Sequence, residues 1–191
     1  KAFSGNEIRG KRLGVIGLGA VGHLVANSAV SMGMEVYGYD PYISIEFALK
    51  LSRSVHPVTQ LSELLEACDF VSIHVPLMEK TRGFIGAAQL DSMRPGAVLL
   101  NFSRDLLVDE EAVGQALQDG RLRRYVTDFA NERVVTFPNA IILPHLGAAT
   151  EEAEDNCAVM AVRQAQDYLN NGNIVNSVNF PPITLGRATH P

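Results

Sequence analysis

The chain has 191 residues, 47% of them hydrophobic, with 21 acidic against 16 basic side chains and a net charge of −5. That length supports one sizeable core rather than two, and the acidic balance argues against a surface built for nucleic acid. No run approaches the roughly 20 apolar residues of a membrane span, and Lys1 to Gly5 carries no signal-peptide pattern, so a cytoplasmic protein without a membrane partner is expected.

Leu13–Ile16 reads as a buried parallel strand and Val21–Met32 as an amphipathic helix. Between them runs Gly17-Leu18-Gly19-Ala20-Val21-Gly22, the spacing of a dinucleotide-binding turn. Gly17 permits the turn, Gly19 lets the backbone approach a pyrophosphate, and Gly22 lets helix and strand pack closely. The amides around Ala20 and Val21 then point at the phosphates with the helix dipole behind them. A second apolar segment, Met34–Tyr39, ends at Asp40, eighteen residues beyond Gly22, where a carboxylate accepts from ribose hydroxyls. The same charge repels a 2′-phosphate, so NAD is favoured over NADP. The blander alternative is that Asp40-Pro41 only opens a solvated turn.

Further along, 43–52 reads as a helix, 55–58 as a short strand broken at Pro57, and 60–66 as a helix. Asp69–Val75 is the next buried strand, stopped by Pro76, and Ala97–Phe102 follows Pro95-Gly96. Asp109 caps a helix reaching about Gln118; Arg123–Thr127 and Ala140–Leu143 complete the strands. A long helix spans about 151–170, with Glu151, Glu152 and Glu154 in its first turn and Gly172 beyond its end. Strands alternating with helices at this spacing predict an α/β, doubly wound parallel sheet with right-handed crossovers.

Such sheets bind ligands beyond the carboxyl ends of their strands. Asp40, His74, Asn101 with Ser103 and Arg104, Asp128 and His145 all fall there. Each alone has a structural reading, His74 as a packed strand residue and Arg104 as a loop charge; as a set they describe a rim. Arg121-Leu122-Arg123-Arg124 reads as a solvated turn. Cys68 and Cys157 have no metal or redox spacing, so two reduced, buried thiols and no metal site are expected. Lys1 rather than Met opens the chain, which is expected to be cut from something longer.

These motifs resemble the D-isomer-specific 2-hydroxyacid dehydrogenase family across nearly the whole chain. The resemblance runs from Gly10–Gly19 through His74-Val75-Pro76-Leu77 with Thr81, Met93–Ala97 and Asn101–Arg104 to Val108-Asp109-Glu110 and Pro144-His145-Leu146-Gly147. It implies a nicotinamide-dependent oxidation of a 2-hydroxy acid, with three catalytic residues. Arg104 holds the substrate carboxylate, because a guanidinium forks and stays charged. His145 takes the hydroxyl proton, since its unperturbed pKa lies near working pH, and Glu132 pairs with and orients His145. The NAD site it implies comprises Gly17, Gly19, Ala20, Val21, Gly22, Asp40, Pro41, His74, Val75, Pro76, Thr81, Asn101, Phe102, Ser103, Arg104, Asp128, His145, Gly147 and Ala148.

Two positions depart from the family pattern. Asp105 follows Arg104 where glycine is usual, close enough to draw on the guanidinium charge, and Glu132 lies four residues after Asp128, one fewer than is common. The resemblance further implies a homodimer through this domain and a substrate domain outside the chain. The division is 1–175 as the NAD-binding domain and 176–191 as a tail, whose Asn176–Pro181 resembles an exit toward a small regulatory amino-acid-binding domain. An NAD-sensing module without catalysis, built on the same scaffold, stays open as the alternative.

Overall fold

A computed structural model describes residues 5–177, 180, 183 and 184. The expected tail therefore falls largely outside the described residues, as do Lys1–Ser4. The chain divides into two compact units, Lys1–His145 and Leu146–Pro191.

In the first unit seven parallel strands form one sheet: β1 (Arg12–Ile16), β2 (Glu35–Tyr39), β3 (Val55–Pro57), β4 (Phe70–Ile73), β5 (Ala97–Asn101), β6 (Leu122–Thr127) and β7 (Ala140–Ile142). Their order is β3-β2-β1-β4-β5-β6-β7, so the chain reverses direction across the sheet between β1 and β4. The intervening helices are α1 (Gly22–Ser31), α2 (Ile45–Lys50), α3 (Leu61–Ala67), α4 (Ala87–Ser92) and α5 (Glu110–Gln118). Every predicted strand is present within a residue or two; α4 is additional.

Alternation along β1 separates two cores, because successive strand side chains point to opposite faces. Leu13 and Val15 pack with Ala26 and Ala29 of α1 and with Val36 and Val55. Ile16 joins Leu64, Leu65, Val71, Ile73, Leu90, Leu99, Val113 and Leu117 on the other face. Gly14 belongs to that second face, where an added Cβ would collide with Leu64 and meet Cys68 Sγ at 3.2 Å. Cys68 is fully buried there, and burial pushes its thiol up to about 12. Cys157 is exposed, contrary to the expectation of two buried thiols, because it sits on a helix with no buried residue.

At the amino ends of the strands an ionic network ties β1, β2 and β4 together. Arg12 Nε meets Glu35 Oε2 at 3.0 Å, Tyr37 Oη donates to Glu35 Oε1 at 2.6 Å, and Asp69 accepts from Arg12 N and pairs with Arg94. The basic run at 121–124 is not a turn: Leu122–Thr127 is β6 itself, and Arg121 pairs with Asp91.

The second unit is built on α6 (Glu151–Asn171). Thr150 Oγ1 accepts from Ala153 N at 3.1 Å as the N-cap, and Gly172 adopts the left-handed conformation, φ 72°, at the carboxyl end. Val159, Met160, Val162 and Leu169 are exposed on it. An apolar groove of about 430 Å³ in this unit, lined by Gln164, Tyr168, Ile174, Val175 and Phe180 among others, carries no acid–base pair. None of the described helices is long and apolar enough to cross a membrane.

Candidate active site

Parallel pairing aligns the carboxyl ends of six strands. Tyr39 lies opposite Ile16, Ile16 opposite Ile73, Ile73 opposite Asn101, Asn101 opposite Thr127, and Thr127 opposite Ile142. The residue after each is therefore delivered to one edge, in the order Asp40, Gly17, His74, Phe102, Asp128 and Leu143. With strands about 4.8 Å apart, Asp40 and Asp128 stand about 20 Å from one another along that edge, with the β1/β4 reversal between them.

The glycine turn sits at the reversal. Gly17 has φ 89°, its N–H donates to Tyr39 O at 2.8 Å, and an added Cβ would approach His74 O to 2.5 Å. A Cβ on Gly22 would collide with the carbonyl of Gly17, so helix and turn pack at the closest approach the backbone permits. Gly19 faces open space instead. Among the described residues no backbone carbonyl or side chain accepts the amides of Ala20, Val21 and Gly22, which leaves three donors at the start of α1.

Asp40 is already engaged: Oδ2 accepts from Leu18 N and Oδ1 from Tyr42 N, each at 2.9 Å. These bonds fix the carboxylate against the glycine turn while each oxygen keeps a lone pair for a ribose hydroxyl. Pro41, one residue on, is exposed.

His74 closes the other side of the turn. Its Nε2 lies 2.8 Å from Ser72 Oγ, and burial pushes the imidazole down to about 4, so the ring is neutral. Val75 and Pro76 follow it, and Thr81 Oγ1 donates to Pro76 O at 2.7 Å, holding that segment in shape.

After β5, buried Asn101 organises the next loop. Its Nδ2 donates to Arg104 O at 2.8 Å and its Oδ1 accepts from Ser103 N at 3.2 Å, while Ser103 Oγ donates to Ile73 O at 2.6 Å. Phe102 and Arg104 are thereby turned outward, both exposed. Arg104 Nη1 donates to Ser103 O at 2.6 Å, and Asp105 accepts from Leu106 N. Among the described residues no ion pair joins Arg104 to Asp105, so the guanidinium charge stays available.

At the end of β6, Asp128 Oδ2 lies 2.9 Å from His145 Nδ1, and the Phe129 ring sits 5.0 Å from the imidazole. The Asp128 side chain is nine-tenths buried and its Oδ1 has no partner among the described residues. Glu132, expected to orient His145, is exposed and makes no ion pair with it among the described residues. The local reason lies in Asn131, whose Oδ1 accepts from Arg133 N and Val134 N and whose Nδ2 donates to Glu110 Oε1. That turn anchors the segment to α5. Neither Asn131 nor Glu110 was expected at the site; an Asn three residues before the apolar Val134 was the available signal. Gly147 and Ala148 lie in the second unit and are exposed.

These features fit a nicotinamide dinucleotide. Three amides without a protein acceptor among the described residues have the chemistry to bind a diphosphate, a carboxylate held by two backbone amides has the chemistry to accept from ribose hydroxyls, and a buried Asp128 oxygen without a partner among the described residues suits an amide NH₂ donor such as a carboxamide. No cluster of three or more metal-ligating side chains occurs among the described residues.

Residues 1–147 match the family described as D-isomer specific 2-hydroxyacid dehydrogenase, NAD binding domain. The chain is 39% identical to a D-3-phosphoglycerate dehydrogenase of Methanocaldococcus jannaschii, over 98% of this chain and 37% of that protein. It is 37% identical to the enzyme of the same name from Haemophilus influenzae, over 96% and 46%. The crystal structure of NAD⁺-bound 3-phosphoglycerate dehydrogenase from Entamoeba histolytica superposes with a TM-score of 0.80 at 31% identity, over 94% of this chain and 58% of that one. The chain thus spans under half the length of these two curated relatives. With the matched segment holding the glycine turn, Asp40 and the whole sheet, the chain belongs to the D-isomer-specific 2-hydroxyacid dehydrogenases as an NAD-binding domain.

Proposed function

We propose that this chain is the coenzyme half of a D-3-phosphoglycerate dehydrogenase, which oxidises 3-phosphoglycerate to 3-phosphohydroxypyruvate at the entry to serine synthesis. The observation that carries the chemistry is the Asp128–His145 pair at the end of β6, set on the same edge as the glycine turn. Bound NAD supplies the hydride acceptor. Asp128 holds the Nδ1–H of His145, which leaves Nε2 to take the proton from the 2-hydroxyl as the C2–O bond becomes a carbonyl. Arg104, exposed beside that edge, holds the substrate carboxylate and polarises the 2-oxygen. Glu132, four residues after Asp128, is the second carboxylate proposed for His145 in the longer parent.

The choice of 3-phosphoglycerate is supported by the names of the two relatives above. A glycerate, glyoxylate, lactate or phosphoerythronate dehydrogenase is the alternative within the same family. The proposal includes a 1–175 coenzyme domain, a cytoplasmic location and a two-fold dimer, the commonest oligomer. Titration of the chain with NADH, followed by nicotinamide fluorescence, is expected to saturate; absence of binding overturns the reading. An assay of the longer parent on a panel of 2-hydroxy acids is expected to favour the phosphorylated substrate, and indifference to the phosphate overturns the choice of substrate.

A further inference from the structure

His23 follows the last glycine of the turn and is 7% exposed, an unusual place for an imidazole that the chemistry above does not use. Its Nδ1 lies 2.7 Å from the carbonyl oxygen of Gly19, which also accepts the His23 backbone N–H at 3.2 Å. A carbonyl only accepts, so Nδ1 carries the hydrogen. Gly19 and Ala20 share one trans peptide, in which C=O and N–H point in opposite directions. Drawing the Gly19 carbonyl toward His23 therefore turns the Ala20 N–H the other way, where it has no protein acceptor among the described residues. The same ring packs against Phe47 of α2 in a tilted arrangement, centroids 5.1 Å apart, and α2 follows Asp40.

We propose that His23 is a positioning residue for the coenzyme diphosphate: its Nδ1–H fixes the Gly19–Ala20 peptide so that the Ala20 amide is preset toward the phosphate oxygens. The inference rests on the NAD reading and adds to it a side chain outside the glycine pattern. Preorganised donors bind more tightly because no reorientation accompanies binding.

Two substitutions in the whole chain separate the parts of the ring. His23→Phe keeps an aromatic ring against Phe47 and loses the donor; His23→Asn keeps a donor in place of Nδ1 and loses the ring. NADH and ADP-ribose are expected to bind His23→Phe about tenfold more weakly, the size of one lost hydrogen bond, with adenosine, which has no phosphate, unchanged. His23→Asn is expected to restore most of the loss. Equal weakening of adenosine, unchanged NADH binding in His23→Phe, or an Asn variant as weak as the Phe variant overturns the proposal. A measurement on the unaltered chain needs no variant to fold: the imidazole ¹⁵N spectrum is expected to show a protonated Nδ1 at His23, and an Nε2–H tautomer there overturns it. Failure of the unaltered chain to bind NADH, with Nδ1 protonated, sinks the NAD reading itself and this inference with it.

Discussion

Asp128 Oδ2 and His145 Nδ1 stand 2.9 Å apart, a carboxylate nine-tenths buried at the end of β6 against an imidazole that is largely exposed. The buried carboxylate thus sets the tautomer and direction of the exposed ring. Asp128→Asn in the parent enzyme is expected to lower kcat by on the order of 10²-fold or more, as loss of general-base orientation does. In this chain alone, Asp128→Asn is expected to shift the ¹⁵N resonance of His145 Nδ1, whereas Glu132→Gln leaves it in place. A resonance that follows Glu132 instead would show that the pair seen here is not the orienting one.

Asp40 makes two bonds to backbone amides, so its substitution acts on the turn as well as on the ligand. Asp40→Ser is expected to weaken NADH binding about 10- to 100-fold, the range for hydrogen bonds to a charged acceptor. NADPH loses less, because the same change removes the repulsion of its 2′-phosphate. The ratio of the two dissociation constants, measured by fluorescence titration, is expected to narrow; an unchanged ratio would mean that Asp40 does not face the ribose.

The sheet was legible because a buried parallel strand announces itself as a short apolar run, as in Phe70–Ile73 and Ala97–Asn101. Helix α4 was not, since Ala87–Ser92 offers six residues with one buried apolar side chain, Leu90, too few for a period to register. The strand-end residues Asp40, His74, Asn101 and Asp128 fell where the register later set them, because each directly follows or ends an apolar run. Partnership was harder. Nothing local told Asp128 from Glu132 as the partner of His145, since that choice depends on how Asn131 folds the loop onto Glu110 of α5, a contact across 21 residues.

His74 gives the fold a pH dependence of definite sign. Burial lowers the folded imidazole to about 4 from an ordinary 6.5, so between these values the unfolded chain binds the extra proton. Stability contributed by the neutral ring is complete above about pH 6.5 and is lost as pH falls toward 4, by about 3 kcal/mol at most. His74→Gln keeps a polar partner for Ser72 and removes the titration. Urea midpoints at pH 7.5 and 4.5 are expected to differ less for that variant than for the parent sequence. An equal fall in both would assign the acid sensitivity to other groups.

The two cysteines are expected to react at different rates. Cys68 is fully buried with its thiol raised to about 12, and Cys157 is exposed on α6. Thiolates, not thiols, attack disulfide reagents. An aromatic disulfide at pH 8 is expected to label one thiol promptly in the folded chain and the second only on unfolding, with Cys157→Ser abolishing the prompt phase.

The sharpest test of the glycine turn sets two of its members against each other. An added methyl at Gly22 collides with the Gly17 carbonyl, whereas one at Gly19 meets nothing within 4 Å. Gly19 also lacks a left-handed φ, so alanine fits its backbone without strain. Gly22→Ala is therefore expected to destabilise the fold by about 1–3 kcal/mol, as overpacking does, with binding lost along with structure. Gly19→Ala is expected to stay within about 0.5 kcal/mol of the parent and still to weaken NADH binding sharply, because the space it fills is where a diphosphate approaches. Chemical denaturation and fluorescence titration on the same two samples separate the outcomes. If Gly19→Ala binds NADH as the parent does, the open face at Gly19 is not the coenzyme's, and the three unclaimed amides behind it serve some other purpose.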